Sequence, residues 1–196
     1  KFGLIPILEP SNQQETYEIT KYAFELSEKV GLPVLVRMVT RLSHSRAGIV
    51  TGNRIEQNKI HLPKNPTQFQ LIPMHARGRY EHLVSIQPDL LEISENSYFN
   101  EFIDGPNISI GIIASGIAYN YLMENFEDSE CPYPVLKVTH YPLPKKPIKH
   151  LFDTCKKILV LEDGYPFIEE TISDFLGENR KVIGRLSGDI PRVGEL

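Results

Sequence analysis

The sequence predicts a layered α/β protein in which short buried strands alternate with helices around parallel sheets. Two observations carry this. Apolar runs of strand length recur at PVLVRMV, SIGIIAS and ILVL, continuous in the way of strands covered on both faces. Between them lie amphipathic stretches at helical spacing, and Gly or Pro marks most of the junctions.

Ser11 is the expected start of the first helix, with Gln14 three residues on as a capping box and Glu15 and Glu18 set against the positive end of the dipole. Ile19, Ala23, Leu26 and Val30 then recur on one face, with Phe24 widening the stripe, and Gly31 stands where a left-handed C-cap belongs. A helix over 12–30 follows. Leu32 leads into a strand predicted at 33–40, in which Val34, Val36 and Met38 alternate with Leu35, Arg37 and Val39, behind a proline placed where its missing N–H does little harm. This strand is expected to be largely buried, and residues 1–46 read as one strand, helix, strand unit. One such unit cannot cover both faces of a sheet, so its upstream neighbours are expected outside this chain, whose first residue is Lys1 and which reads as a processed or cut piece.

The strand runs into RLSHSR. Ligands of open α/β sheets sit at the carboxyl ends of strands, so Arg41, Ser43, His44, Ser45 and Arg46 are the candidate wall of a binding cleft. A solvated exit loop accounts for the same residues equally well.

Between Ala47 and Gly105 proline, asparagine and glutamine interrupt every periodic run, which predicts a connector. His75–Ile103 is more helical, with Leu83, Leu90, Leu91, Ile93 and Phe99 among its apolar contacts, and Pro88 must kink or split it. The expectation is a bridging arm. From Ile108 the alternation resumes: a strand ending at Ser115, a turn at Gly116, a helix over 117–126, a strand over 135–139 and a proline-started helix over 143–154. A strand at 158–161, a helix over 167–176 and a last strand at 181–184 complete a parallel sheet with helices on both faces.

Composition narrows the function classes. With 41% apolar and 23% charged residues, and no apolar run near the roughly 18 that a membrane span needs, the chain reads as globular. A net charge of −4 and scattered basic residues give no footprint for nucleic acid. Two cysteines build neither a disulfide framework nor a metal cluster, and no targeting segment is visible, so the reducing cytoplasm is the expected compartment.

Motifs for chemistry are sparse. GIIASGIAYNY offers a strand, glycine turn and helix, but at the spacing of neither dinucleotide nor P-loop binders, so Ser115–Ile117 is at most a small-anion site and otherwise a packing turn. Glu162-Asp163-Gly164 presents carboxylates at a strand end, where solvation or helix capping is the simpler role. Cys155 precedes two lysines and reads first as a buried structural thiol, and His61, His75, His82, His140 and His150 read as packing or surface residues.

Taken together, LEPSNQQETYEITKYAFELSEKVGLPVLVRMVTRLSHSR, GIIASGIAYNYLME and ILVLEDGYPFIEE with the closing IPRVGEL resemble the alpha subunits of indolepyruvate:ferredoxin oxidoreductases, in the same order and over nearly the whole chain. The RLSHSR block is the most specific piece. The resemblance implies a thiamin-diphosphate enzyme that oxidatively decarboxylates aryl pyruvates to aryl-acetyl-CoA and passes electrons through iron–sulfur clusters to ferredoxin. It implies that 1–46 is the end of the pyrimidine-binding domain, 47–105 a connector with a kinked helical arm, and 106–196 a three-layer α/β/α domain similar to the transketolase C-terminal domain. The family's activating glutamate would lie upstream. Its diphosphate and Mg²⁺ motif would lie downstream, since Gly188-Asp189 leaves too few residues to complete it, and the ferredoxin-type cysteine repeats are not in this sequence. The stretch by itself is therefore expected to bind no cofactor or metal and to be inactive, its partners being the rest of the alpha subunit, a beta subunit, ferredoxin, CoA and the aryl pyruvate. Within it, His44 would exchange a proton near the 2-oxoacid, Arg41 or Arg46 would hold its carboxylate, and Ser43 and Ser45 would contribute hydrogen bonds. A pyruvate or 2-oxoglutarate oxidoreductase, or a non-catalytic module contacting a partner subunit or a small anion at Ser115–Ile117, is the alternative.

Overall fold

The computed structural model describes residues 3–127, 129–173, 181–184 and 188–191. Two sheets organise them. Strands β1 (Ile7–Leu8) and β2 (Leu35–Val36) flank helix α1 (Gln13–Val30) and pair in parallel, so the expected strand, helix, strand unit forms. Gly31 closes α1 at φ 65°, its N–H donating to the Ser27 carbonyl, because a residue without Cβ enters the left-handed region at no steric cost. The start lies one residue later than Ser11 and Gln14 suggested: Asn12 is the N-cap and accepts from the Glu15 N–H. The Glu15 carboxylate reaches back to the Ser11 N–H and hydroxyl, at 2.6 and 2.7 Å.

The strand expected over 33–40 is much shorter, and it is not largely buried. β2 pairs with β1 on one side only, so Leu35 and Met38 stay exposed, and from Thr40 the chain turns into a short helix, α2 (Thr40–His44). The antiparallel partner on the other flank of β1 is β6 (His140–Tyr141), which arrives from distant sequence and was not expected.

Residues 45–65 run without regular structure to a single 3-10 turn at Pro66–Phe69. The expected helical stretch then divides at Ile86 into α3 (Pro73–Ser85) and α4 (Gln87–Glu95), each with a proline in its first turn. Its end is strand rather than helix: β3 (Glu101–Ile103) pairs antiparallel with β5 (Val135–Val138).

To these two the five-stranded sheet adds β4 (Gly111–Ser115), buried at its centre, β7 (Lys157–Leu161) and β8 (Lys181–Ile183), in the order β3-β5-β4-β7-β8, parallel except at β3. β5 and β7 flank β4, and β8 lies outside β7. Both faces are covered. Ile148, Leu151 and Phe152 of α6 (Lys145–Thr154) and Ile168 and Ile172 of α7 (Phe167–Ser173) pack on Ile113, Leu136, Ile158 and Val160. On the opposite face Tyr119 and Leu122 of α5 (Ile117–Glu124), with Phe126, pack on Ile112, Ala114 and Val135. Burying some ten large aliphatic side chains at about 1.5–3 kcal/mol each is the main force holding this layer structure. The last part of the helix expected over 167–176, and of the tail over 187–196, lies outside the described residues.

Candidate functional site

The two sheets meet at the carboxyl ends of their strands, and one side chain joins them. Glu9 follows β1, is 4% exposed, and turns its carboxylate toward the Gly116 turn at the end of β4. Gly116 has φ 51° and ψ −136°, and a Cβ there would lie 2.8 Å from Glu9 Oε1. The turn thus needs glycine twice over, for its backbone and for the space the carboxylate occupies. Arg37, immediately after β2, pairs its Nη1 with Glu9 Oε1 and donates from Nη2 to the Asp163 carbonyl at 2.8 Å. The Tyr141 hydroxyl, from β6, donates to Glu9 Oε2 at 3.0 Å.

Glu162, which directly follows β7, caps α7, accepting from the Ile168 and Glu169 N–H groups at 2.8 and 3.0 Å. Helix capping was the simpler of the two roles expected for it. Burial still pushes its carboxyl up to about 7, with the Glu9 charge adding to the shift. Glu9 is raised as well, by burial that the Arg37 charge only partly offsets, and the wholly buried Tyr141 phenol is pushed well up by burial and by Glu9. Two buried carboxyls, a phenol and a half-exposed guanidinium therefore share one polar seam, in which Arg37 alone reaches solvent to any extent. Such a seam can hold a proton near neutral pH and present a guanidinium at its mouth.

The residues expected at the cleft lie beside this seam, on a different surface. Arg41, Ser43 and His44 are on α2, and Ser45 and Arg46 follow it; all five are exposed. The wall expected from a continuous strand is thus a helical turn on the surface. Arg41 Nη1 donates to the Tyr121 hydroxyl at 2.6 Å and its guanidinium lies 5.4 Å from that ring's centroid, which ties α2 to α5. The Ser43 hydroxyl is spent on the Val39 carbonyl, and the Ser45 hydroxyl donates to the Leu42 carbonyl while accepting from Gln13. Neither His44 nor Arg46 is drawn into the seam by any hydrogen bond among the described residues. The residues that sequence reasoning passed over are Glu9, Arg37 and Tyr141. The one signal for Glu9 was an acid directly behind an apolar run at a strand end.

The Glu9 carboxylate occupies the space beside the Gly116 Cα, with Oε1 2.8 Å from where a Cβ would lie, so the room next to this turn is taken by the chain itself. Cys131 and Cys155 are free and buried, and burial raises the Cys155 thiol. Among the described residues no three His, Cys, Asp or Glu side chains are grouped to hold a metal, and no helix is long and apolar enough to cross a membrane.

Known proteins bear directly on this arrangement. Over its whole length the chain is 35% identical to the indolepyruvate oxidoreductase subunit IorA of Methanothermobacter thermautotrophicus and 34% identical to that of Thermococcus kodakarensis. Over 97% of its length it is 35% identical to the same subunit of Archaeoglobus fulgidus. It spans about a third of the length of these relatives, 32%, 32% and 31%. No protein-family profile matches it. In fold it is similar to a 2-oxoglutarate:ferredoxin oxidoreductase from Magnetococcus marinus, solved with 2-oxoglutarate, coenzyme A and succinyl-CoA bound. That likeness has a TM-score of 0.60 at 13% identity and covers 91% of this chain and 38% of the other.

Proposed function

We propose, from the premise that this chain is homologous along its whole length to about a third of the archaeal IorA subunits, that it is a structural and substrate-facing part of an aryl-pyruvate oxidoreductase. The enzyme would oxidatively decarboxylate indolepyruvate and related acids to aryl-acetyl-CoA, with ferredoxin as electron acceptor. The observation that carries this reading is the match in order from end to end; the likeness to a 2-oxoacid:ferredoxin oxidoreductase supports the fold. Thiamin diphosphate, Mg²⁺, the iron–sulfur clusters and the contacts with a beta subunit, CoA and ferredoxin belong, in this reading, to the remainder of the enzyme. Residues 1–46 would end its pyrimidine-binding domain, 47–105 would connect, and 106–196 would form its transketolase C-terminal-like domain.

The part this chain plays toward the substrate is recognition and proton handling. Arg41 is held beside the Tyr121 ring, so a guanidinium and an aromatic face stand together on α2 and α5. That pair suits an aryl pyruvate, whose carboxylate takes a charge-assisted hydrogen bond and whose ring stacks. Arg46 would supply a second cation, Ser43 and Ser45 hydrogen bonds, and His44 a proton. In the complete enzyme, Arg41→Ala and His44→Ala should each lower kcat/KM for indolepyruvate at least tenfold, about 1.4 kcal/mol. Unchanged kinetics in both variants would remove α2 from the substrate site.

A further inference from the structure

The substrate pair proposed above is built from two helices that hang on different sheets. α2, which carries Arg41, continues the chain from β2 of the three-stranded sheet, whereas α5, which carries Tyr121, follows β4 of the five-stranded one. Arg41 and Tyr121 meet across 80 positions, so the guanidinium reaches its aromatic partner only if the two sheets meet in one arrangement. Around the end of β5 the sheets are joined by the β1–β6 ladder and by Lys137, whose Nζ lies 2.7 Å from Glu15 Oε1. At the ends of β4 and β7, where α5 begins, Glu9 and Arg37 supply the join.

Each side of that join lies next to one half of the pair. Met38 and Val39 alone separate Arg37 from the first residue of α2, and Gly116, against which the Glu9 side chain packs, is the N-cap of α5. Glu9 is held from three sides: Oε1 by Arg37, Oε2 by the Tyr141 hydroxyl and Cγ by the Gly116 turn. Its side chain is 5% exposed, which confines it, and the Arg37 fork is fixed with it, one nitrogen on Glu9 and the other on the Asp163 carbonyl. A lysine in place of Arg37 would keep the charge and lose the fork.

We infer that Arg37 and Glu9 are positioning residues for the Arg41–Tyr121 pair: they touch no substrate, and they set the separation and angle of the guanidinium and the ring that do. This rests on the reading of that pair as the substrate contact. A fork that served stability alone would change Tm and leave the pair where it is. A positioning fork acts on the substrate through Arg41, so it has nothing to act on once Arg41 is gone.

Two measurements on the variants Arg37→Lys and Glu9→Ala test this. In the 196-residue chain labelled with fluorotyrosine, the Tyr121 fluorine resonance is the one that Tyr121→Phe removes, and Arg41→Ala marks where it moves when the guanidinium leaves. Both seam variants should move it toward that position while keeping the circular dichroism of the parent. In the aryl-pyruvate oxidoreductase proposed to contain the stretch, Arg37→Lys should raise KM for indolepyruvate about tenfold and change kcat by less than about twofold. The same substitution made on top of Arg41→Ala should cost less than about twofold more. A Tyr121 resonance that Arg41→Ala does not shift, or that it shifts and neither seam variant does, would overturn the inference, as would losses in kcat/KM that add to that of Arg41→Ala. Unchanged kinetics in Arg41→Ala would instead overturn the substrate reading of the pair, a failure that the resonance tells apart from a failure of positioning.

Discussion

Replacing Gly116 with alanine should damage the seam between the two sheets more than any other single added methyl group. The residue sits at φ 51° and ψ −136°, outside the region that L side chains adopt, and holding alanine there costs about 1–3 kcal/mol. The new Cβ would also lie 2.8 Å from Glu9 Oε1 and 2.9 Å from Glu9 Cγ, so the carboxylate must leave its place. Leaving forfeits its charge-assisted pairing with Arg37 and Tyr141, about 1.5–3 kcal/mol. The combined loss is about 2.5–6 kcal/mol, and at about 2–4 °C per kcal/mol for a chain of this length Tm should fall by roughly 5–24 °C. Urea unfolding of wild type, Gly116→Ala, Glu9→Ala and the double variant completes a cycle. Once Glu9 is gone, the glycine substitution should cost only its backbone share, leaving a coupling of about 1.5–3 kcal/mol. Additive effects, or a Tm within about 2 °C of wild type, would refute the account of this turn.

Two further outcomes concern pH. Glu162 titrates near 7 when folded against 4.5 unfolded, so the folded state holds its proton longer; the stability linked to it is full below pH 4.5 and declines as pH rises through about 7, by up to about 3 kcal/mol. Glu162→Gln, which can still cap α7, should remove that decline in urea titrations taken across this range. His140 has the opposite sign: buried, with Nδ1 unpartnered, it is pushed down to about 4 from 6.5, so its stability is present above pH 6.5 and is lost as pH falls through about 4. His140→Phe should make the chain more tolerant of acid, and a variant as acid-sensitive as wild type would sink that reading.

Elements whose cause is local were legible. The α1 stripe through Ile19 and Leu26 and its Gly31 cap, the buried GIIAS strand and the split before Pro88 each depend on residues a few positions apart, and each stands in the structure, although Phe24, expected to widen the stripe, is exposed. The misjudged strand at 33–40 shows the limit: its alternation is real, but with β1 on one side and no strand on the other among the described residues, ladder and burial both fail by Met38, and the chain winds into α2. β6 was invisible because two residues carry no periodicity and their partner lies more than 130 positions away. The seam was hidden for the same reason. Glu9 meets Arg37 across 28 positions and Tyr141 across 132, and Arg37 meets Asp163 across 126. Strand-end reasoning led to the basic cluster on α2, Arg41 among it, and passed over Arg37 four residues earlier, because a basic cluster is conspicuous in sequence and one ion pair closed across 28 positions is not.

The most direct measurement is the substrate profile of the aryl-pyruvate oxidoreductase proposed to contain this stretch, purified with the proposed partner subunit and assayed by ferredoxin reduction in the presence of CoA. The account predicts that indolepyruvate and other aryl pyruvates are turned over with a higher kcat/KM than pyruvate or 2-oxoglutarate, and that Arg41→Ala erases most of that preference. A preference for 2-oxoglutarate or pyruvate, or no 2-oxoacid turnover at all, would contradict it.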